Sequence, residues 1–434
     1  MVSRLQAAIG TSELADPAAA GRAAVTDALS RFPGGRPDLL VVYASVRYDL
    51  PTLVRESFRV GGGTSLIGAS SSGHFHGGTL TPPDRGVAVL ALGGGPYRFG
   101  VAAVRGVGSD PFDAGRILAT AARRAVGAVE SPFAGMLLLS CGISYDLQEL
   151  LNGIHRVTGT AVPVVGGTAS DDRLMRDTYV FCGDQVLTDA AVAVWVGSAR
   201  PLSVVRGHGW RPLGLPQLVT DVDGQVVRTI GGRPAKEVFA EHLRAAEEPG
   251  DLVSVEVGGR HAAGRVVRLG EVGRCFGIVD RDGVQILRGV FVDPDGEIRT
   301  FAPLPPFCAI QIMSCGQDDL LGVCERVVGG ALAGGDVTGS GVAGYRSGTG
   351  DRPGTRYRFA LGPQPFGAYR PGVVLAFSCV ARLEMLRDRQ HEEASRLQAA
   401  AGDVPTFGFY TYGEFARTTS AFGFHNATIA AVAL

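Results

Sequence analysis

The residues best suited to chemistry recur at the ends of apolar runs. Ser140-Cys141, Ser314-Cys315 and Ser378-Cys379 each close an aliphatic stretch. The last pair is followed by Arg382, then Tyr412 and Glu414, then His425 and Asn426. A thiol placed where a strand meets a helix can have a lowered pKa and act as a nucleophile. Cys379 with His425 as base and Asn426 or Glu414 as orienting group is one arrangement these types allow, and it would make a cysteine-dependent small-molecule hydrolase. Recurrence of Ser-Cys speaks for a plainer reason, small residues where a strand turns sharply, because a nucleophile is needed only once. No Gly-x-Cys-x-Gly elbow is present either. The other chemistry is binding. Arg382 can grip a ligand carboxylate in a bidentate fork, Glu414 can accept from an ammonium group, and backbone amides in the Gly68–Gly73 and Gly166–Ser170 turns can donate as nests do. That combination suits an amino acid or similar small zwitterion; the same side chains also allow an Arg382–Glu414 ion pair tying helix to strand. The candidate ligand-binding set is Ser45, Ser70, Ser71, Ser140, Cys141, Thr168, Ser170, Ser378, Cys379, Arg382, Tyr412, Glu414 and Asn426.

Two further patterns carry less. His74-Phe-His76 puts two imidazoles on one side of a strand, where they could meet a metal, but no third ligand lies nearby in the sequence. Gly61-Gly-Gly-Thr and Gly93-Gly-Gly-Pro lack the G-K-[ST] ending or G-x-G-x-x-G spacing of phosphate loops and read as turns. Neither a metal nor a cofactor is expected.

The elements that must hold these residues repeat. Gly372–Ser378 reads as a buried strand, Arg382–Leu397 as a helix stopped by Gly402, Val404–Glu414 as a second strand and Phe424–Leu434 as a third. Ligands of α/β sheets sit at the carboxyl ends of strands, which is where the polar residues gather. The same order occurs earlier, twice. Asp16-Pro17 and Asp110-Pro111 each open a helix as N-cap and N1. Leu39–Ala44 and Met136–Leu139 are strands, Tyr48-Asp-Leu50 and Tyr145-Asp-Leu147 open second helices, and Gly68 and Gly166 end second strands. The Tyr-Asp-Leu motifs lie 97 residues apart and the glycines 98 apart. Such a constant offset indicates a duplicated β-α-β-β unit, about 10–93 and 108–197, with a divergent third copy in 311–434 in which Gly408 matches Gly68 and Gly166. Between them, 201–310 carries Asp223-Gly224, Asp282-Gly283 and Asp295-Gly296 between alternating runs, the chemistry of hairpins. Residues 334–371 are rich in Gly, Arg and Ser and read as a loop insertion.

Three separated pieces, Phe377-Ser-Cys-Val-Ala-Arg382, Gly408-Phe-Tyr-Thr-Tyr-Gly-Glu414 and Phe424-His-Asn-Ala-Thr428, resemble the C-terminal part of FIST proteins. Ser45, Tyr48-Asp49 and the Gly68–Gly73 turn are similar to their N-terminal region, except that Ala69 stands where relatives tend to have Cys. Gly207-x-Gly-Trp210 and Gly231-Gly-Arg-Pro234 look like the start of a FIST C-terminal region. The resemblance covers roughly residues 10–434. It implies an N-terminal domain over 1–200, a C-terminal domain over 201–434, and an intracellular sensory, signal-transducing role in which a small ligand such as an amino acid is bound and a separate signalling protein carries the output.

Composition agrees with a globular chain. The 434 residues exceed one hydrophobic core, 45% are apolar, and the formal net charge is −1, so nothing global draws the chain to nucleic acid or an anionic membrane. The seven cysteines are scattered and odd in number, as in a reduced compartment. No apolar run approaches the roughly 20 residues of a membrane span, and a cytoplasmic location is expected. A protein-interaction scaffold without ligand is the remaining alternative. The expected fold is α/β, with mixed sheets, flanking helices and duplicated units, arranged as two sheets stacked between helical layers.

Overall fold

In a computed structural model, residues 4–127, 131–143, 146–244, 253–259, 262–269, 274–279, 285–292, 296–333, 370–417 and 422–434 are described. The 334–371 insertion, the Asp282-Gly283 turn and Tyr145 fall wholly or almost wholly outside them.

Local signals set the helices. Asp16 caps Pro17–Arg31, its carboxylate accepting the Ala19 N–H at 2.7 Å. Asp110 does the same for Pro111–Ala125 through Asp113 N–H at 2.9 Å. Asp146 caps Leu147–Thr158 through Gln148 and Glu149. Each such cap stabilises by about 1 kcal/mol. Gly402, at φ +61°, ends Gln390–Ala401.

The unit occurs three times. Each copy has an edge strand (Gln6–Ser12, Arg98–Arg105, Val204–Gly207) and an inner strand (Leu39–Ala44, Phe133–Ser140, Val374–Cys379). A parallel neighbour follows (Ser65–Ser70, Val164–Thr168, Thr406–Thr411), then a hairpin, then a closing strand (Val87–Gly93, Ala190–Ser198, Ile429–Ala433). The third copy therefore begins at Val204, ahead of the hairpin-rich stretch, and not at 311. The stretch is an insertion behind that copy's first strand, and an insertion of this length hides the repeat from a search for constant offsets. Gly68, Gly166 and Gly408 are equivalent. A Cβ on each would lie 2.1, 1.9 and 1.8 Å from the carbonyl oxygen of Val42, Leu138 and Ala376 respectively, so no side chain fits.

The hairpins are exchanged in a ring. His74–His76 and Thr79–Thr81 of the first copy extend the third copy's sheet. Val180–Cys182 and Gln185–Leu187 of the second extend the first copy's sheet. Glu414–Arg417 and Phe424–His425 of the third extend the second copy's sheet. The inner faces of all three sheets share one core, in which Val41, Leu139 and Phe377 belong to the same cluster, while each outer face packs under its own helix pair. The α/β class with mixed sheets stands. The two-sheet stack is corrected to three sheets about a common core, because strand alternation shows which residues are buried but not how many sheets meet.

The insertion forms its own antiparallel sheet. Val226–Ile230, Arg211–Asp223, Ala309–Ser314, Arg274–Val279, Gln285–Val292 and Ile298–Thr300 pair in turn, and the last pairs back to the first, closing a small barrel around Phe276, Ile286 and Ile312. Gly224, at φ +58°, makes the first turn.

Candidate functional site

The strand tips of the three copies converge, as the repeat predicts, but their meeting point is sealed. Ser70, Ser71, Thr168, Ser170 and Thr411 have no exposure. Ser170 N–H donates to Ser70 O at 3.0 Å, Ser170 Oγ to Tyr410 O at 2.6 Å, and Ser72 N–H to Tyr410 O at 3.4 Å. Ser70 Oγ accepts the Tyr179 N–H at 3.0 Å, so Ser70 and Ser170 satisfy backbone groups where three sheets turn away from one another, while Thr168 Oγ1 has no partner among the described residues. Ser71 Oγ lies 3.3 Å from His74 Nδ1. Ser140 Oγ donates to Cys141 O, and the Cys141 thiol to Thr178 O. Ser45 Oγ donates to Asp172 at 2.6 Å.

Arg382 is not a ligand fork. It is fully buried, and its fork already holds a carboxylate of the chain itself: Nε donates to Glu393 Oε1 at 2.8 Å, and Nη2 to the same oxygen. Its remaining hydrogen bonds run to Ser378 Oγ, His208 O and Leu320 O. Glu393 also accepts from Ser378 Oγ and from Tyr410 O–H at 2.6 Å. Burial alone would lower the Arg382 pKa; the Glu393 charge outweighs it and holds the guanidinium protonated. The ion pair that the sequence also allowed with Glu414 is made with Glu393 instead, a partner eleven residues along that no spacing rule singles out. Glu414 is buried apart, accepting from Thr411 and from Thr428 Oγ1 at 2.6 Å. Burial pushes its carboxyl up to about 8, against the pull of those hydrogen bonds.

No Cys–His pair forms. Burial, then the nearby Glu414, pushes the Cys379 thiol far up. His425 donates Nε2–H to Ala416 O at 3.2 Å, and burial, then Arg206, holds it neutral. The imidazole that was to act as base is thus directed at a backbone carbonyl. His74 is likewise buried and neutral, and among the described residues no group of three or more His, Cys, Asp or Glu side chains could hold a metal.

What the strand tips do border is a cavity of about 90 Å³, beside the end of the Val374–Cys379 strand. That is room for several waters or a small organic molecule. Cys379, Tyr412 and Asn426 from the expected set line it. Part of the rest of the wall comes from elements far away in the sequence, Met175 from the second copy, Trp210 at the entry to the insertion, and Arg274, Cys275, Gly289, Val290 and Phe301 from the barrel; Val380, Ala381, Glu384 and Met385 of the adjoining helix Val380–Leu386, with Ala427, complete it. The wall is apolar except for Arg274, Glu384 and Asn426. Arg274 Nη1 donates to Ser314 Oγ at 2.9 Å, and Glu384 pairs with Arg173 at 3.2 Å. Asn426 is 2% exposed; its Nδ2 donates to Tyr412 O at 3.4 Å, and its Oδ1 has no partner among the described residues. Sequence reasoning missed the barrel and Met175 contributions. Of these distant residues Trp210 carried a signal, as one of the chain's two tryptophans and the end of the Gly-x-Gly-Trp motif.

The loop 171–177 closes the cavity from the second copy. Asp172, Arg173 and Met175 all have positive φ (52°, 69° and 51°) although none is glycine, a backbone state that costs of order 1–3 kcal/mol each unless surroundings enforce it. Here they do. The Asp171 carboxylate accepts the N–H groups of Met175, Arg176 and Asp177 and the hydroxyl of Tyr412. Asp172 accepts from Ser45, Val46 and Asp84 of the first copy. One side of this strained loop faces the cavity and the other is tied to the first copy's turns.

Compared with known families, residues 38–233 match the FIST N domain and residues 235–417 the FIST C domain. The two matches adjoin, ending at 233 and beginning at 235. Among curated proteins, an uncharacterized protein of Methanocaldococcus jannaschii is 26% identical over 185 residues, 41% of this chain and 35% of its own length. One of Mycobacterium tuberculosis is 38% identical over 120 residues, 27% of this chain and 30% of its own length. One of Mycobacterium bovis is 41% identical over 83 residues, 19% of this chain and 21% of its own length. The chain spans about a third or less of the length of each of these relatives.

Proposed function

The chain belongs to the FIST family, and on that premise we propose that it is a small-molecule-binding sensory protein whose ligand sits in the cavity beside Cys379. FIST domains are associated with sensory signal transduction and small-ligand binding. The observation that carries the reading is an apolar cavity at strand ends with a small number of polar side chains, the usual build of a ligand site. An amino acid or similar zwitterion is the ligand class we favour, with Arg274 in place of Arg382 as carboxylate receptor and Glu384 in place of Glu414 as ammonium acceptor, since Arg274 and Glu384 both line the wall. The loop 171–177 supports the sensory part of the reading: it is in touch with Tyr412 and Glu384 on the cavity side and with Ser45 and Asp84 beyond. A separate protein in the cytoplasm would receive the signal.

The test is a thermal-melt screen with amino acids and small metabolites, since a binder of the folded form alone raises the midpoint. Arg274→Met should keep its fold and lose the response to carboxylate ligands. A screen in which no compound moves the midpoint overturns the cavity reading and leaves the scaffold alternative. An unchanged response in Arg274→Met overturns the carboxylate assignment.

A further inference from the structure

We infer that the cavity selects a ligand with an uncharged aromatic body carrying a hydrogen-bond donor, and that the Asn426 amide oxygen is the group that reads the donor. This rests on the reading of the cavity as the ligand site, and two features of the wall carry it. The first is its softness. Of the chain's five methionines and seven cysteines, Met175, Met385, Cys275 and Cys379 line this one cavity, beside Trp210 and Tyr412. Thioethers and aromatic rings attract one another, and rings favour offset or edge-on partners. Trp210 spends its indole N–H on Ala427 O at 2.9 Å, and Tyr412 spends its hydroxyl on Asp171. What both offer the cavity is therefore ring surface. Burial holds the Cys275 and Cys379 thiols in their neutral form, which adds no charge to the wall.

The second feature is Asn426. An acceptor buried without a partner is uncommon and calls for an explanation. Asn426 is held in place by its main-chain N–H, which donates to Leu287 O at 3.3 Å, and by its Nδ2, yet Oδ1 has no partner among the described residues. A ligand N–H or O–H would complete it. A site built to pair a donor rejects the analogue that lacks one far more strongly than an apolar site tells two shapes apart.

Phenol and toluene separate the possibilities, because they match in size and shape and differ in the donor. A purely apolar cavity binds toluene at least as well as phenol, since phenol must leave its water behind. A cavity read by Asn426 binds phenol more tightly, by about tenfold. The two are titrated into the full chain and followed by the fluorescence of Trp210 in a Trp195→Phe background and by calorimetry. The expected result is phenol over toluene in the parent and toluene over phenol in Asn426→Leu. The parent ranking stands as a test by itself if Asn426→Leu does not fold. Toluene binding as tightly as phenol, or an unaltered preference in a folded Asn426→Leu, overturns the inference and leaves the cavity reading intact. Failure of both probes to bind at millimolar concentration overturns the aromatic assignment, while the amino-acid screen still decides on the cavity.

Discussion

Arg382 and Glu393 meet out of reach of solvent, guanidinium to carboxylate at 2.8 Å, with Ser378 and Tyr410 supplying further hydrogen bonds to the acid. The pair joins the helix Val380–Leu386 to Gln390–Ala401 and, through His208 O and Leu320 O, to the entry and exit of the inserted barrel. Removing one member strands a buried charge, at a cost of about 3–5 kcal/mol. Arg382→Met should therefore lower the urea midpoint strongly. Adding Glu393→Leu should return part of the loss, since replacing both partners with apolar groups is far cheaper than breaking the pair. A loss in the double variant equal to the sum of the two single losses would show that the charges are not coupled.

Glu414 gives the protein a pH dependence of definite sign. Its carboxyl is raised from 4.5 to about 8 in the folded chain. Between those values the folded form keeps a proton that the unfolded form releases, so its contribution is fully present below 4.5 and is lost as pH rises through 8. The buried histidines His74 and His425 are shifted downward and act in the opposite sense, but only below their unfolded pKa of 6.5. From 6.5 to 8 the Glu414 effect runs free of theirs. Stability by urea unfolding should fall across this window with a slope of at most about 1.4 kcal/mol per pH unit. Glu414→Gln should flatten it; a slope retained in that variant would assign it to another group.

The loop 171–177 depends on one carboxylate. Asp171→Ala leaves three amides and the Tyr412 hydroxyl without their acceptor, a loss of roughly 1–3 kcal/mol for each group that stays buried. Hydrogen exchange followed by mass spectrometry should speed up at Met175, Arg176 and Asp177 while exchange in the barrel strands is unaltered. Protection retained at these amides would mean that the positive-φ turn holds itself.

Three glycines should behave alike because they occupy one position in three copies. Gly68→Ala, Gly166→Ala and Gly408→Ala each force a methyl group to within about 2 Å of a backbone carbonyl, and each should cost more than about 4 kcal/mol or prevent folding. Gly402→Ala, at φ 61° and ψ −122° but with open space around it, should cost only the backbone strain, about 1–3 kcal/mol. Soluble expression and melting midpoints decide between these outcomes.

What could be read from the chain was local. Asp16-Pro17 and Asp110-Pro111 announce helix starts because a side-chain cap needs only its own neighbours. The match among Gly68, Gly166 and Gly408 is legible because a backbone that tolerates no Cβ leaves glycine as the one choice. The partner of Arg382 was not legible, since any carboxylate within reach satisfies a fork and only packing chooses among them. Nor was the cavity wall: Met175, Trp210, Phe301 and Met385 come from four elements that periodicity treats as unrelated. The barrel hid the third copy by standing between its first strand and the rest.

The ring of exchanged hairpins also sets when this fold can be finished. During synthesis the Val164–Thr168 strand emerges long before Glu414–Arg417, its partner along one side, and His74–His76 waits still longer for Thr406–Thr411. Each interval leaves bare backbone along a sheet margin, a template for pairing with another nascent chain. A ribosome-bound fragment cut at the junction of the two halves should accordingly be a client for chaperones rather than a folded domain.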